Sequence, residues 1–361
     1  MHRSSCVAGM ISLLWIPSVA LAASDSKETG GWVAAIVEST LKTDSDHIRQ
    51  FAFDGDPSTF FASEQNPTTT DSFSLTFDKP VALKSISVAT GAPSGENKLD
   101  AGELEVSHDG KEFKLLAKFA DGAAKAEADG QKVVAIRIRP TEDMKHPLAI
   151  QEIRVESTPR VAIFKYPVEF VVDVSDAPEM QEWADKCARI CERTYPMINE
   201  ELPSEGFRPA HLVKMTLKKD YRGVAATGGT RITGAVAWFK RHPDDVGAMV
   251  HETVHVVQAY RYGRGGNRNP GWLVEGIADY IRFFKYEPGK AGPVKADKHY
   301  DGSYRVTATF LNYVSEKYDK ELVRKLNAAM RQGKYSEDHF KASTGKTLQE
   351  LDDEWRATLK S

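Results

Sequence analysis

The chain has 361 residues, which is more than one hydrophobic core usually serves, so two domains are expected. Hydrophobic residues make up 41% and charged residues 27% of it, a balance that excludes a wholly disordered protein. The formal net charge of -3 gives no basic field, so composition offers no support for nucleic acid or an anionic membrane as a partner.

The first 23 residues have the features of a secretory signal peptide. Arg3 supplies a positive start, residues 7–21 are mostly apolar, and Ala20-Leu21-Ala22 is a small-x-small cleavage site. The apolar run is shorter than the roughly 20 residues that a spanning helix needs, which disfavours a membrane anchor. The sequence therefore predicts a cleaved leader at 1–23, no membrane span, and a secreted or periplasmic mature protein.

From about residue 29 to 158, apolar side chains alternate with period two, as in β-strands that bury one face. The alternating runs are Phe73, Leu75 and Phe77; Leu104 and Val106; Val134, Ile136 and Ile138; Ile153 and Val155. Turn signals such as Asp109-Gly110 and Asp129-Gly130 separate them. This rhythm predicts an antiparallel, all-β sandwich.

The same region resembles the discoidin-like domain, also called the coagulation-factor C-type domain. The resemblance is carried by FDGDPSTFFAS at 53–63, by residues 73–77 and 86–91, and by LEVSHDG at 104–110, with Phe60 and Phe61 where the family usually has Trp. It implies a jelly-roll sandwich whose end loops bind glycans or other surface ligands, sometimes beside a calcium ion. Asp54 and Asp56 would lie near such an ion, but the sequence favours a plain turn, because carboxylates in Gly/Pro turns commonly bond to their own backbone.

After Pro159 the pattern changes to mixed strands and helices. The sequence predicts a β-rich stretch at 161–174, a helix at 178–200, a strand at 213–218, a Gly-rich hairpin at 223–240 and an almost wholly helical remainder from 244. These elements predict an α+β, mainly helical second domain at 165–361. Cys187 and Cys191 lie four residues apart on the first of these helices, and both a disulfide and a pair of buried thiols remain open.

The stretch HETVHVVQAY at 251–260 places two imidazoles and a carboxylate on an apolar helix. His251 and His255 are one turn apart, so they project from one face about 6 Å apart along the axis, where both can hold one metal ion. Glu252 points beside that ion, where a carboxylate can take a proton from water. The pattern is typical of a zinc peptidase, in which Zn²⁺ acidifies the water.

A third ligand would complete this site. The metzincin pattern requires Gly and His at positions 258 and 261, where the chain has Gln258 and Arg261, so that class is excluded. The gluzincin pattern requires a Glu on a second helix, and Glu275 lies on such a predicted helix. Asp279, one turn further on, is expected to accept the second ring N–H of a histidine ligand.

Residues 165–361 resemble the plant and bacterial basic secretory protein family of metallopeptidases. The resemblance is carried, in order, by GVA at 223–225, DVGAMV at 245–250, HETVHVVQAY, GWLVEGIADYIR at 271–282, YRVTATFL at 304–311 and TGK at 344–346. It implies a zinc-dependent, gluzincin-like peptidase with His251, His255 and Glu275 as ligands and Glu252 as base. The mildly acidic balance of the chain departs from the "basic" of the family name.

A peptidase also needs a donor for the developing oxyanion. The candidates are Tyr304 and Arg305, which open a predicted helix in the matching block; Tyr280 and Tyr260 are weaker ones, and core packing is the alternative role for each tyrosine. The hairpin at 223–239 either offers an edge strand to an extended peptide or is purely structural.

The sequence therefore predicts a secreted zinc peptidase acting on proteins or glycoproteins, with the sandwich domain holding it on a glycan-bearing or cell-wall surface. Two alternatives stay open: a non-hydrolytic glycan- or surface-binding protein with a structural metal, and a metal-dependent amidase acting on cell-wall peptides. Glu252 favours hydrolysis, because a structural zinc site needs no base and usually closes its fourth position with a protein ligand.

Overall fold

The computed structural model describes residues 31–260 and 269–360, so the leader predicted at 1–23 lies outside the described residues. Buried apolar side chains form two separate clusters. The residues of the first lie in the sequence from Val33 to Val161, and those of the second from Val168 to Trp355. We propose, on these two cores, that the domains divide near residues 158–165. None of the helices in the described part of the chain combines the length and the apolar character that crossing a membrane requires.

The first core lies in an all-β sandwich of seven strands. These are β1 (Ala35–Ser39), β2 (Phe61–Ala62), β3 (Phe73–Thr90), β4 (Gly102–Ser107), β5 (Phe113–Lys118), β6 (Ala123–Pro140) and β7 (Ala149–Thr158). All pairs are antiparallel in the order β2-β7-β3-β6-β4-β5, and β1 pairs with β3. Register shifts after Thr76 and Leu83 interrupt the long strand β3, as bulges do where a strand bends. The predicted all-β sandwich is confirmed; the jelly-roll assignment stays a prediction.

The second core lies between a four-stranded sheet and a set of helices. Its elements are β8 (Glu169–Asp173), α1 (Gln181–Glu201), β9 (Leu212–Lys218), β10 (Ala225–Gly228), β11 (Arg231–Ala235), α2 (Val236–Arg241), α3 (Val246–Gln258), α4 (Gly271–Tyr280), a π-helical segment (Ile281–Tyr286), α5 (Tyr304–Lys317), α6 (Leu322–Arg331), α7 (Asp338–Thr344) and α8 (Leu348–Thr358). The sheet order is β10-β11-β9-β8, with β10 antiparallel at one edge and the other pairs parallel. Helix α3 packs against β10, β11 and α1. A mixed α/β region therefore follows the sandwich, as predicted.

The predicted hairpin is shorter than the sequence pattern indicated. Its second strand ends at Ala235, and Val236–Arg241 form helix α2. Phe239 is fully buried and stacks on Trp183 with ring centroids 4.5 Å apart, while its neighbour Trp238 packs against the same core. Consecutive side chains of a strand point to opposite faces, so a helical turn is needed for both aromatic rings to reach one core.

Cys187 and Cys191 are free and fully buried on α1. Burial, with the hydrogen bond to Cys191, raises the pKa of the Cys187 thiol well above its usual value. Of the two alternatives for these residues, the structure contains the pair of buried thiols, which act as small apolar groups in the core.

Buried polar contacts join the sandwich to the second core. Arg49 lies 3.1 Å from Glu169 of β8 and 3.3 Å from Glu192 of α1. The side chain of Gln50 accepts a hydrogen bond from the backbone N–H of Val168 at 2.9 Å. Through these contacts the sandwich binds to β8 and α1. Helix α1 in turn packs against α3.

Candidate metal centre

Helix α3 is held in place by apolar side chains on the face that it turns to the core. Val250, Val254 and Val257 are fully buried. His251 and His255 project from another face of the same turns, towards α4, because residues one turn apart share a face. The valines thus hold the helix so that both imidazoles meet the neighbouring helix.

The structure brings the three predicted ligands together. The Nε2 atom of His251 lies 3.1 Å from Nε2 of His255 and 3.1 Å from Oε2 of Glu275. The Nε2 atom of His255 lies 3.2 Å from the same carboxylate oxygen. In a tetrahedral zinc site with bonds of about 2.0–2.1 Å, neighbouring ligand atoms are about 3.3 Å apart. The donor set therefore fits one ion the size of zinc.

The second nitrogen of each imidazole is bonded to an oxygen. His251 Nδ1 lies 2.7 Å from Oδ1 of Asp279, and His255 Nδ1 lies 2.7 Å from Oε1 of Gln258. A neutral imidazole donates at one nitrogen and accepts at the other, so both Nε2 atoms direct lone pairs towards Glu275. Three acceptors this close repel one another unless a proton or a metal ion lies between them, which agrees with a metal site.

The pKa values of the site show the same preference for positive charge. Burial opposes protonation of His251, but its bonds to Asp279 and Glu275 outweigh that effect and raise its pKa to about 9. Burial likewise opposes ionisation of Glu275, and the bonds from His251 and His255 lower its pKa to about 2. The surroundings therefore stabilise a cation at this position and a carboxylate beside it.

The predicted base, Glu252, is nearly buried and bonded to the edge of the sheet. The hydroxyl of Thr227 on β10 donates to Glu252 Oε2 at 2.8 Å and lies 2.9 Å from its backbone carbonyl. Thr227 was not among the predicted site residues, because the Gly-rich pattern indicates a hairpin here without distinguishing one of its residues. The bond orients the carboxylate and leaves Oε1 as its second acceptor.

Tyr304 is the oxyanion candidate that the structure places beside His251, one of the predicted ligands. Its ring stacks against His251 with centroids 6.1 Å apart and planes 18° apart, and the side chain is 53% exposed. The charge of Glu275 raises its pKa, so its hydroxyl keeps its proton. Helix α5, which begins at Tyr304, can approach α4 closely because Gly276 has no side chain. A Cβ atom at this position would collide with Thr307 of α5.

The other oxyanion candidates are engaged elsewhere. The guanidinium of Arg305 lies over the ring of Phe283, 4.7 Å from its centroid. Tyr260 donates its hydroxyl to Asn327 at 3.0 Å, and Tyr280 is buried in the second core. The core-packing alternative therefore describes Tyr260 and Tyr280 better than a catalytic role does.

The acidic turn of the sandwich is bonded to itself. Asp54 accepts hydrogen bonds from the backbone N–H of Asp56 at 3.0 Å and from the hydroxyl of Thr59. Asp56 accepts from the backbone N–H of Ser58 at 2.9 Å. These contacts are those of the plain turn that the sequence favoured, and the calcium alternative stays a hypothesis.

Glu152 on β7 gives the sandwich a testable pH dependence. It is buried beside Asp54, and burial together with that negative charge raises its pKa from about 4.5 to about 7. The folded state thus binds more protons than the unfolded state between these values, so stability should fall as pH rises from about 5 to about 7. With solvent screening we expect a loss of about 1–2 kcal/mol.

Thermal unfolding at pH 5 and pH 8, in EDTA throughout, measures this effect. Glu152→Gln should flatten the pH dependence of Tm, whereas Glu156→Gln, at an exposed position of the same strand, should leave it as in the wild type. Equal slopes in the wild type and Glu152→Gln would contradict the assignment.

Several solved carbohydrate-binding modules are similar to part of the chain. A family 32 module from a family 31 glycoside hydrolase of Clostridium perfringens is 19% identical, with a TM-score of 0.30, over 34% of this chain and 92% of that one. A family 32 module of the same organism, solved with galactose, is 18% identical, with a TM-score of 0.29, over 34% and 92%. A fucose-binding module of Streptococcus pneumoniae is 12% identical, with a TM-score of 0.29, over the same shares.

The second part of the chain matches a family of sequences. No curated protein matched the chain. The family described as "BSP: Peptidase of plants and bacteria" matches residues 169–355, slightly more than half of the 361 residues. This match includes α3, α4 and the beginning of α5, which carry the candidate metal centre. The family expected from the sequence is thereby confirmed, and the chain belongs to the peptidase family of plants and bacteria.

Proposed function

We propose that this protein is a secreted or periplasmic zinc-dependent peptidase of the gluzincin type that hydrolyses peptide bonds of proteins or glycoproteins. The observation that carries the proposal is the meeting of His251, His255 and Glu275 at mutual distances of 3.1–3.2 Å, with Glu252 on the same helix. Membership of a peptidase family supports it.

Each residue has a defined role in this proposal. His251, His255 and Glu275 hold Zn²⁺, which when bound supplies a Lewis acid that polarises a carbonyl and acidifies water. Glu252 takes a proton from the attacking water onto Oε1, the carboxylate oxygen that Thr227 does not bond, and passes it to the leaving amine as the peptide C–N bond breaks.

Two further features fit peptide hydrolysis. We assign Tyr304 as the donor to the developing oxyanion, because its ring lies against the ligand His251 and its side chain is half exposed. Strand β10 is an edge strand whose Thr227 bonds the base, so an extended peptide that adds to this edge would run past Glu252.

The sandwich domain is assigned a targeting role. Its residues 53–63 and 104–110 resemble a family whose loops bind glycans, so we propose that it holds the peptidase on a glycan-bearing or cell-wall surface. A purely structural metal is the less favoured alternative. Among the described residues, the cluster contains three His, Cys, Asp or Glu ligands, one short of the four that close a structural zinc site.

Zinc content tests the assignment of the ligands. The purified protein should hold about one zinc ion per chain, and His255→Ala should lose most of it, because two ligands cannot retain the metal through purification. His339→Ala, a histidine outside the cluster, serves as the control. Absence of zinc from the wild type, or full retention by His255→Ala, would overturn the proposed site.

A further inference from the structure

Gln258 excluded the metzincin pattern, and the structure gives it contacts that account for its presence. It lies on α3 three residues after His255, and 1% of it is exposed. Its Oε1 atom is 2.7 Å from Nδ1 of His255, and its Nε2 atom donates to the backbone carbonyl of Val274 on α4 at 2.9 Å. Both ends of the amide are therefore engaged.

The carbonyl of Val274 decides which way round the amide lies. A carbonyl oxygen only accepts, so the NH₂ group of Gln258 must face Val274 and its oxygen must face His255. Because that oxygen also only accepts, Nδ1 of His255 must carry a proton. In the neutral ring this leaves the lone pair on Nε2, the atom that faces His251 and Glu275.

The two histidines are thus held in different ways. Asp279 presents a negative charge to Nδ1 of His251, whereas Gln258 presents a neutral oxygen to Nδ1 of His255. A neutral amide selects the tautomer without adding negative charge to the site. In addition, Val274 directly precedes Glu275, so the same amide ties the second ligand to the helix that carries the third.

We propose that Gln258 is a positioning residue of the metal centre: it fixes the tautomer and ring orientation of His255 and couples α3 to α4 beside Glu275. The assignment of a metal rests on the proposed function, but the hydrogen bonds from Gln258 to His255 and Val274 are present without a metal ion. Loss of a group that orients a metal-binding histidine typically weakens metal binding about 10- to 100-fold.

The test compares Gln258→Met, which keeps the shape but removes both the acceptor for His255 and the donor to Val274, with Gln258→Glu, which keeps the acceptor and loses the donor. The control is Thr253→Val. It removes a buried hydrogen bond within α3, from the Thr253 hydroxyl to the backbone carbonyl of Met249, and leaves the three predicted ligands unchanged. In metal-free protein, ¹⁵N chemical shifts of the imidazoles report the tautomer of His255. Competition with a chelator gives the zinc dissociation constant, and thermal unfolding reports stability.

We expect His255 to be protonated at Nδ1 in the wild type, Gln258→Glu and Thr253→Val, and to become a mixture of tautomers in Gln258→Met. Zinc binding should weaken about 10- to 100-fold in Gln258→Met, by less in Gln258→Glu, which loses only the bond to Val274, and little in Thr253→Val. A wild-type tautomer and affinity in Gln258→Met would overturn the inference while leaving the peptidase proposal intact. So would a Gln258→Glu variant whose His255 is as mixed in tautomer as in Gln258→Met.

The two proposals fail separately. A wild type that binds no zinc contradicts the proposed function, but the ¹⁵N spectra of the metal-free variants still decide the role of Gln258. Conversely, a wild type that binds zinc and cleaves peptides can still show that Gln258 has no influence on His255.

Discussion

Glu252→Gln is expected to lower kcat/KM by about 10²- to 10⁴-fold while zinc content and fold stay those of the wild type. The amide has the shape of the carboxylate but cannot take up a proton, so the step assigned to Glu252 is lost. Its oxygen can still accept the bond from Thr227 that anchors the side chain to β10. The effect should therefore be on turnover and not on assembly of the site.

A substrate screen measures this difference. Zinc-loaded wild type and Glu252→Gln are incubated with mixed peptides and glycopeptides, and new termini are counted by mass spectrometry. Glu316→Gln, at an exposed position of α5, controls for the loss of a charge. Equal cleavage by the wild type and Glu252→Gln would exclude this base. If neither protein cleaves any substrate and the wild type binds glycans in a separate assay, the non-hydrolytic alternative would be favoured.

Arg331→Met is expected to destabilise the second core by about 3 kcal/mol, or about 6–12 °C in Tm. The guanidinium donates to the carbonyls of Val257 and Gln258 at the end of α3, at 2.7 and 3.2 Å, and to the carbonyl of Leu202 at the end of α1, at 3.0 Å. A cation at two helix C-termini is favourable, and its removal takes a hydrogen-bond donor from each of these carbonyls.

The electrostatic surroundings explain why this effect should be large. No carboxylate of the described residues pairs with Arg331, and burial lowers its pKa to about 10. The guanidinium also lies over the ring of Phe207, with 3.6 Å from its carbon to the ring centroid. The carbonyls of the two helices, together with the hydroxyl of Ser204 at 2.8 Å, thus accept the hydrogen bonds that compensate its charge.

A matched variant on the same helix separates this contact from a general effect of charge. Arg324 on α6 pairs with Glu321 and Glu201 at the surface, where an ion pair contributes about 0–1 kcal/mol. Chemical and thermal unfolding of Arg324→Met should therefore remain close to the wild type. If Arg331→Met loses no more stability than Arg324→Met, the link between the helix ends is not important.

Much of the architecture could be predicted because it depends on local periodicity. The alternation at Phe73, Leu75 and Phe77 predicted strands, since those side chains must share one face of a sheet. The hairpin predicted at 223–240 was wrong from Val236 onward, where a helix lets the adjacent Trp238 and Phe239 both pack against one core. A local pattern describes which side chains one helix or strand would expose on each face. Whether that helix or strand forms depends also on the surface against which it packs.

The sequence by itself determined the family, and it predicted that His251, His255 and Glu275 lie together, with Glu275 in place of a third histidine. These follow from the fixed pitch of a helix and from residue identities at set positions. Only the tertiary structure decided that Thr227 holds Glu252, that Gln258 orients His255, and that Arg331 joins the ends of α1 and α3. Two of these contacts join separate elements: Thr227 and Glu252 are 25 residues apart, and Arg331 and Val257 are 74 residues apart. Gln258 is close to His255 in sequence, but the orientation of its amide depends on Val274, which is 16 residues away. Such partners depend on how closely the elements approach, which no periodicity in the chain records.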